Sequence, residues 1–396
     1  MPPSKELYIG LMSGTSIDGI DAALVEFSSN NCQLIAQYLQ PLPSQLTAAL
    51  HRLCQSGTNE IDLLAGIDKQ LAALFAQASL QLLSISGYSA ADITAIGSHG
   101  QTIRHHPELD FTLQIGDPNI LATITNIDTI ADFRRKDMAL GGQGAPLVPA
   151  FHQAVFQHPQ VSRAVVNIGG LANVTFLPNQ QQAGTVIGYD TGPGNTLLDA
   201  WYRLHHVSGK SDDKNAKGDY ENDKHYDENG LWARSGTVIE ELLTQLLKHG
   251  YFQLNPPKST GRELFNLTWL QRHLSPEDQS SSQLNSQLYS PADVQRSLVR
   301  FTAISIANEI KQLMPSGEVY ICGGGAANPL LMQDIASQLL QYQVNTTAAL
   351  GIDPDWVEAI AFAWLAKQHV HKQPGNIPAV TGASRPAILG SFYPAD

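Results

Sequence analysis

Cysteine is scarce in this 396-residue chain: Cys32, Cys54 and Cys322 lie far apart and form no CxxC pair. That spacing supports neither a disulfide framework nor a sulfur-ligated zinc site, and it fits a reducing cytoplasm. Basic charge is short as well, with 24 Lys and Arg against 36 Asp and Glu and a formal charge of -12. A broad nucleic-acid face is therefore not expected, although a few cations can still meet one small phosphate. No segment reaches the length of a membrane span, and MPPSKELYIG has no apolar signal core, so no membrane partner is expected and a cytoplasmic location is. Two nucleotide signatures are missing too. No GxxxxGK[ST] occurs, which argues against a P-loop kinase, and ICGGGAAN lacks the GxGxxG spacing of a dinucleotide fold.

At 43% apolar residues, the chain has the material for real cores, and its length suggests two domains. Four apolar segments end in glycine-rich or polar turns: IGLMSGTS, ITAIGSHGQT, RAVVNIGGLANVTFL and GEVYICGGGAANPLL. Between them, residues 42–55, 61–83, 238–252, 293–313 and 355–368 carry apolar side chains at three- and four-residue spacing, which predicts helices. Pro354 or Asp355 is placed to start the last of these. The pattern is α/β with mixed sheets. Residues 165–177 repeat the layout of the first hairpin, strand, glycine turn, strand, which suggests two related halves facing one another across a cleft. Residues 208–229 and 275–287 are polar and are expected as solvent-exposed loops.

The first turn, in YIGLMSGTSIDGIDAALVEF, packs Gly14, Thr15, Ser16, Ile17, Asp18, Gly19, Ile20 and Asp21 between two strands. Gly14 and Gly19 are expected to take positive φ and admit a ligand to the backbone, and the hydroxyls suit an anion. Asp18 and Asp21 would repel a bare phosphate, an objection that a divalent cation removes. A tight hairpin with solvated aspartates is the alternative. In GYDTGPGNTLLD a strand delivers Asp190 into a sharp turn, suited to a general base or to an Asx-turn cap.

Arg134 and Asp137 precede Gly141, Gly142 and Gly144; the arginine fork suits a carboxylate or phosphoryl oxygen, and Asp137 suits orientation of a substrate. A structural Arg–Asp pair explains the same pattern. His99 and Gln101 in SHGQTIRHH form a neutral hydrogen-bonding pair for hydroxyls rather than a zinc site. Gly323, Gly324 and Gly325 permit close approach of a nucleotide, and Asn328 either caps the next helix or meets the ligand. In KSTGRELFN, Lys258 and Arg262 suit a phosphate, while Thr260 with Glu263 also forms a plausible capping box. Glu358 lies in an otherwise apolar helix, facing either solvent or a substrate.

Together, MSGTSIDGIDAAL, GSHGQTIRH, QIGDP, ADFRRKDMALGGQGAPLVP, NIGGLANVT, YDTGPGNTLLDAW, KSTGRELFN, CGGGAANPLL and VEAIAFAWLA closely resemble the anhydro-N-acetylmuramic acid kinase family, from Gly10 to about Phe392. The resemblance implies a two-lobed, actin-like ATPase fold, a duplicated ribonuclease H-like architecture with a central cleft, in a cytoplasmic homodimer. One lobe is expected from 1–130 plus 376–396 and the other from 131–375. The implied reaction converts 1,6-anhydro-N-acetylmuramic acid, ATP and water into N-acetylmuramic acid 6-phosphate and ADP during peptidoglycan recycling, with Mg²⁺. Carried over, Asp190 resembles the base that activates water, and Gly14 to Asp21 the ATP phosphate turn, with Asp18 beside the metal. Gly169 and Gly170 match a second phosphate turn, Gly323 to Gly325 the adenosine side, Arg134 a sugar-site arginine and Glu358 a substrate-contacting acid. Two alternatives are a sugar kinase that opens no ring and an actin-like ATP-dependent binding protein.

Overall fold

The computed structural model describes residues 5–14, 16–28, 31–181, 184–206, 225–256, 258–261, 263–274 and 289–396. Thr15, Arg262, residues 208–224 of the first polar stretch and all of 275–287 lie outside the described residues. The chain divides into two compact units, 1–157 with 350–396, and 158–349.

In the first unit, β1 (Glu6–Ser13), β2 (Gly19–Ser28) and β3 (Asn31–Pro41) form an antiparallel meander, and β4 (Ile93–His106) lies parallel to β1 on its other side. β5 (Phe111–Ile115) folds back on the far half of β4, and β6 (Thr129–Ala131) runs parallel to its near half. The C-terminal strand Ser391–Tyr393 closes that edge. The order β3-β2-β1-β4-β6 puts the apolar β1 at the centre, where Leu7 to Ser13 are buried on both faces. The helix Glu60–Ser86 buries Ile67, Leu71, Phe75, Ala78 and Leu82, the spacing its sequence shows, and ends at Gly87 with φ 77°.

In the second unit, β7 (Arg163–Ile168), β8 (Leu171–Leu177) and β9 (Ile187–Pro193) form an antiparallel meander. β10 (Gly317–Cys322) is parallel to β7, and β11 (Tyr342–Thr346) is parallel to β10. The order β9-β8-β7-β10-β11 therefore matches β3-β2-β1-β4-β6 in sequence and in sense, strand by strand. The likeness of two hairpins is the visible part of a five-strand correspondence. The helix Pro291–Leu313 covers this sheet, capped by the Ser290 side chain and started by Pro291 at its first position.

The unit boundaries correct the expected lobes, because 131–157 and 350–375 pack in the first unit rather than the second. The helix Val357–Val370 is the reason. It begins after a Trp356 cap, two residues beyond the expected start, and lies directly on β1 and β4. A Cβ on Gly10 would come within 1.8 Å of the Ala359 carbonyl oxygen, and one on Gly97 within 2.0 Å of the Phe362 carbonyl oxygen. Only glycine admits a helix backbone that close. The helix Phe133–Met138 follows β6 directly, and the helix Val148–Phe156 sets Phe151 against Trp364.

Candidate functional site

The first turn is tied down from within its own unit. The Ser13 hydroxyl lies 2.9 Å from the Gly19 carbonyl oxygen and 2.7 Å from Gln101 Oε1, and Gln101 Nε2 donates to the Gly14 carbonyl at 3.1 Å. Gln101, expected to meet substrate hydroxyls, is fully buried and spends its amide on the turn. The positive φ expected at Gly14 and Gly19 falls instead on Ile17, at φ 58°. Left-handed backbone at a β-branched residue is strained, and burial of the Ile17 side chain in the core holds it there. Ile20 is buried as well, so among the residues expected to bind nucleotide, Ile17 and Ile20 have only backbone to offer. Asp18 is exposed and accepts from the Ser16 hydroxyl at 2.9 Å. Burial, and then the charges of Asp18, Glu358 and Asp355, push Asp21 up to about 7.

A second cluster of the first unit centres on Arg134. His99 Nδ1 lies 2.8 Å from the Gly100 carbonyl oxygen, which acts only as an acceptor and so fixes the proton on Nδ1. His99 Nε2 is then free to accept from Arg134 Nε at 3.0 Å, while Arg134 Nη1 donates to the Gly144 carbonyl oxygen at 2.8 Å. Burial and the adjacent guanidinium hold His99 well below the usual histidine range, so it stays neutral. The histidine thus aims the arginine rather than meeting a hydroxyl itself. Burial lowers Arg134 to about 10, countered by Glu358 and Asp137. Burial raises Glu358, which the Arg134 charge partly offsets.

Asp137 departs from the expected substrate role. Its side chain is fully buried and accepts from Gly144 N–H at 2.9 Å, Asn376 Nδ2 at 2.6 Å and the Thr381 hydroxyl at 2.8 Å. It fastens the glycine loop that presents the Gly144 carbonyl to Arg134, and its carboxylate has no face left for a sugar.

In the second unit Asp190 stands at a break in the ladder, where Asn173 pairs with Asp190 but Ala172 already pairs with Gly192. The extra residue is a β-bulge, which re-aims the strand's side chains. Asp190 Oδ2 accepts from Thr260 N–H at 3.0 Å, its backbone N–H donates to the Lys258 carbonyl at 3.2 Å, and its carbonyl accepts from the Tyr251 hydroxyl at 2.6 Å. Oδ1 has no partner among the described residues. Burial raises the carboxyl to about 6, with the Thr260 N–H pulling the other way. The Thr260 hydroxyl, buried beside it, also lacks a partner among the described residues. It forms no capping box: Asn266 caps the following helix by accepting from Trp269 N–H at 2.9 Å.

Lys258, expected near a phosphate, is instead buried in an ion pair, its Nζ 2.8 Å from Glu309 Oε1, with the Tyr189 hydroxyl 3.0 Å from Oε2. Glu309, Tyr189 and Tyr251 have no place among the sequence candidates. Their one legible signal is the polar row Thr302, Ser305 and Glu309 on an otherwise apolar helix face.

The glycine turns of this unit meet at the carboxyl ends of the parallel strands β7 and β10, the end at which open α/β sheets bind ligands. Gly323, at φ 75°, and Gly325 leave no room for a side chain, because a Cβ would fall 2.2 Å from Asn167 Oδ1 and 2.3 Å from Ile168 Cγ2 respectively. Gly324 faces more open space. The carbonyls of Gly169 and Gly170 accept from Asn195 N–H at 2.8 Å and Thr196 N–H at 2.9 Å. Asn328 resolves to the cap, accepting from Leu330 and Leu331 N–H at 3.1 and 3.2 Å.

Each unit carries a polar centre of its own, a guanidinium aimed by a buried histidine in the first and a strand-end carboxyl that burial raises in the second. The family model for anhydro-N-acetylmuramic acid kinase matches residues 6–395, and the chain belongs to that family. An anhydro-N-acetylmuramic acid kinase of Shewanella loihica is 51% identical over 395 residues, covering 99% of this chain and 100% of its own. Another from Shewanella frigidimarina is 52% identical over 392 residues, covering 98% of this chain and 99% of its own. A ROK family glucokinase from Streptomyces griseus superposes over 91% of this chain and 99% of its own, but its TM-score of 0.40 and 14% identity are too low to bear on the site.

Proposed function

We propose that the protein converts 1,6-anhydro-N-acetylmuramic acid, ATP and water into N-acetylmuramic acid 6-phosphate and ADP in peptidoglycan recycling. The observation that carries the reading is Asp190: a carboxylate on a β-bulge, held at Oδ2 by one N–H and without a partner at Oδ1 among the described residues, with burial raising it to about 6. Such a group is ionised at neutral pH and still has appreciable proton affinity, as a general base requires. Asp190 takes a proton from water as that oxygen bonds to the anomeric carbon. The bond from that carbon to the bridging six-position oxygen breaks, and this oxygen takes the γ-phosphoryl group from ATP. It leaves as an oxyanion and needs no second base to deprotonate it. Ionised Asp190 also suits the positive charge that develops at the anomeric carbon.

Arg134, with Nε and Nη1 occupied, has Nη2 for a sugar oxygen, and Glu358 beside it is the second substrate contact. The backbone of Gly14 and of Ser16 to Asp21 serves the ATP phosphates, as do Gly169 and Gly170, with Gly323 to Gly325 toward adenosine; Thr15, outside the described residues, is assigned with them on sequence alone. The charges of Asp18, Glu358 and Asp355 that bear on Asp21 suit a cation, while no three His, Cys, Asp or Glu side chains gather as a ligand set among the described residues. That donor set fits Mg²⁺ brought in on the nucleotide and held by Asp18, rather than a protein cage. When bound, Mg²⁺ neutralises phosphate charge.

The matching strand orders support a duplicated, actin-like fold. Among the described residues no helix is long and apolar enough to cross a membrane. We assign the protein to the cytoplasm as a homodimer, which light scattering checks. The reaction is tested by turnover in ¹⁸O-labelled water: the label belongs on the anomeric oxygen of the sugar phosphate. A phosphorylated anhydrosugar with its bridge intact marks an ordinary sugar kinase, and ATP consumption without sugar phosphate marks a binding protein; either result overturns the assignment.

A further inference from the structure

The groups around Asp190 converge on a charge pair that touches no reacting atom in the scheme above. Residues 258–261 belong to no helix or strand, yet they grip Asp190 twice, by Lys258 C=O on its backbone N–H and by Thr260 N–H on its carboxylate. The segment needs an anchor that a sheet ladder does not provide. Lys258 supplies it by running into the core to Glu309, where both side chains are 2% exposed. Glu309 sits on the helix Pro291–Leu313 and is held at its other oxygen by the Tyr189 hydroxyl. The Lys258 ammonium also lies 5.8 Å from the ring centre of Tyr189 and 5.1 Å from that of Tyr251, whose hydroxyl holds the Asp190 carbonyl. A buried ion pair is a poor source of net stability, since an apolar pair of similar volume often does as well. What it adds is direction, because its hydrogen bonds fix one arrangement of the segment.

We propose that Lys258 and Glu309 are positioning residues whose buried pair sets the 258–260 segment against Asp190 and so aims its carboxylate. The inference rests on Asp190 as the base. Among the described residues the titratable side chain in contact with Asp190 is Tyr251, while Tyr189, Lys258 and Glu309 are bonded to one another, and burial raises both tyrosines, so neither ionises in the working range. Losing the pair loosens Thr260 N–H from Oδ2. That N–H favours the ionised carboxylate, so its loss makes Asp190 hold its proton more tightly, and the acid limb of the pH profile moves up from about 6.

The test is the double substitution Lys258→Met with Glu309→Leu, which leaves no lone buried charge, alongside Lys258→Arg, with kcat, KM and the pH profile of kcat/KM measured on 1,6-anhydro-N-acetylmuramic acid. The double variant is expected to lose roughly 100-fold in kcat, as for a misplaced catalytic group. KM for both substrates changes little and the acid limb moves upward, while Lys258→Arg recovers part of both effects. A merely structural pair lowers the urea midpoint and leaves the limb in place, and that outcome overturns the proposal. Tyr189→Phe, which removes only one bond to Glu309, keeps the question open to measurement where the double variant does not fold: a smaller upward movement supports the proposal and an unmoved limb refutes it. Asp190→Asn run in parallel separates the two readings. Its retained turnover removes the base itself, whereas an inactive Asn variant with an unmoved limb in the pair variants removes only the positioning role.

Discussion

Asp190→Asn is expected to move activity and stability in opposite directions. Burial raises this carboxyl from the usual 3.8 to about 6 even with the Thr260 N–H favouring the ion. At about 1.4 kcal/mol per tenfold change in proton affinity, ionising it in the fold costs about 3 kcal/mol more than in the unfolded chain. Water reaching a half-buried group screens part of that, which leaves about 1–2 kcal/mol. The sign follows from the raised value. Below 3.8 the native and unfolded carboxyls are both protonated; between 3.8 and about 6 the unfolded chain gives up its proton first, so the stability that Asp190 contributes is lost as pH rises through about 6. Asparagine stays neutral and can still accept from Thr260 N–H. The variant should therefore match the parent near pH 4 and exceed it by about 1–2 kcal/mol at pH 8 in urea unfolding. Its turnover should fall at least about 100-fold, the lower range for a lost general base. Parent kcat/KM should decline as pH drops through about 6. Near-normal turnover, or an Asn variant no more stable than the parent at pH 8, would refute the assignment of burial and base to the same carboxyl.

Arg134→Lys keeps the charge but cannot give one nitrogen to His99, another to Gly144 and a third to a ligand; a 10- to 100-fold loss in kcat/KM for the sugar is expected, matching the roughly 1.5–3 kcal/mol of a charged hydrogen bond. Unchanged sugar kinetics would count against its placement. Gly10→Ala sets a methyl 1.8 Å from the Ala359 carbonyl oxygen, so the helix carrying Glu358 must withdraw from β1. A loss of about 1–3 kcal/mol or more is expected in urea unfolding; an unshifted midpoint would show that this contact is not the tight one described.

The helices were legible because burial on one face imposes a three-and-four spacing that survives in one dimension: residues 61–83 and 293–313 were expected, and Glu60–Ser86 and Pro291–Leu313 form. The glycine turns were legible as breaks between apolar strands, and the hairpin at 165–177 hinted at the repeat. Less was legible wherever a polar side chain has a partner far along the chain. Gln101 holds Gly14 across 87 residues and Asp137 holds Asn376 across 239, and nothing local distinguishes such a group from one awaiting a ligand. Lys258 shows the same ambiguity, since a lysine in a glycine-containing turn looks like a phosphate contact until Glu309 is found beneath it.

By itself the sequence determined the α/β layers, the places where backbone must turn on glycine, and a set of ordered motifs specific enough to name a family. Each depends on neighbours within a few residues, or on their order. The tertiary structure alone decided which polar groups are spent on one another: His99 on Arg134, Asp137 on its loop, Lys258 on Glu309. It also decided that the late helix Val357–Val370 belongs on the first sheet and that Asp190 stands at a bulge with one oxygen unpartnered among the described residues. Those outcomes follow from packing and hydrogen-bond saturation in three dimensions, which local spacing does not encode.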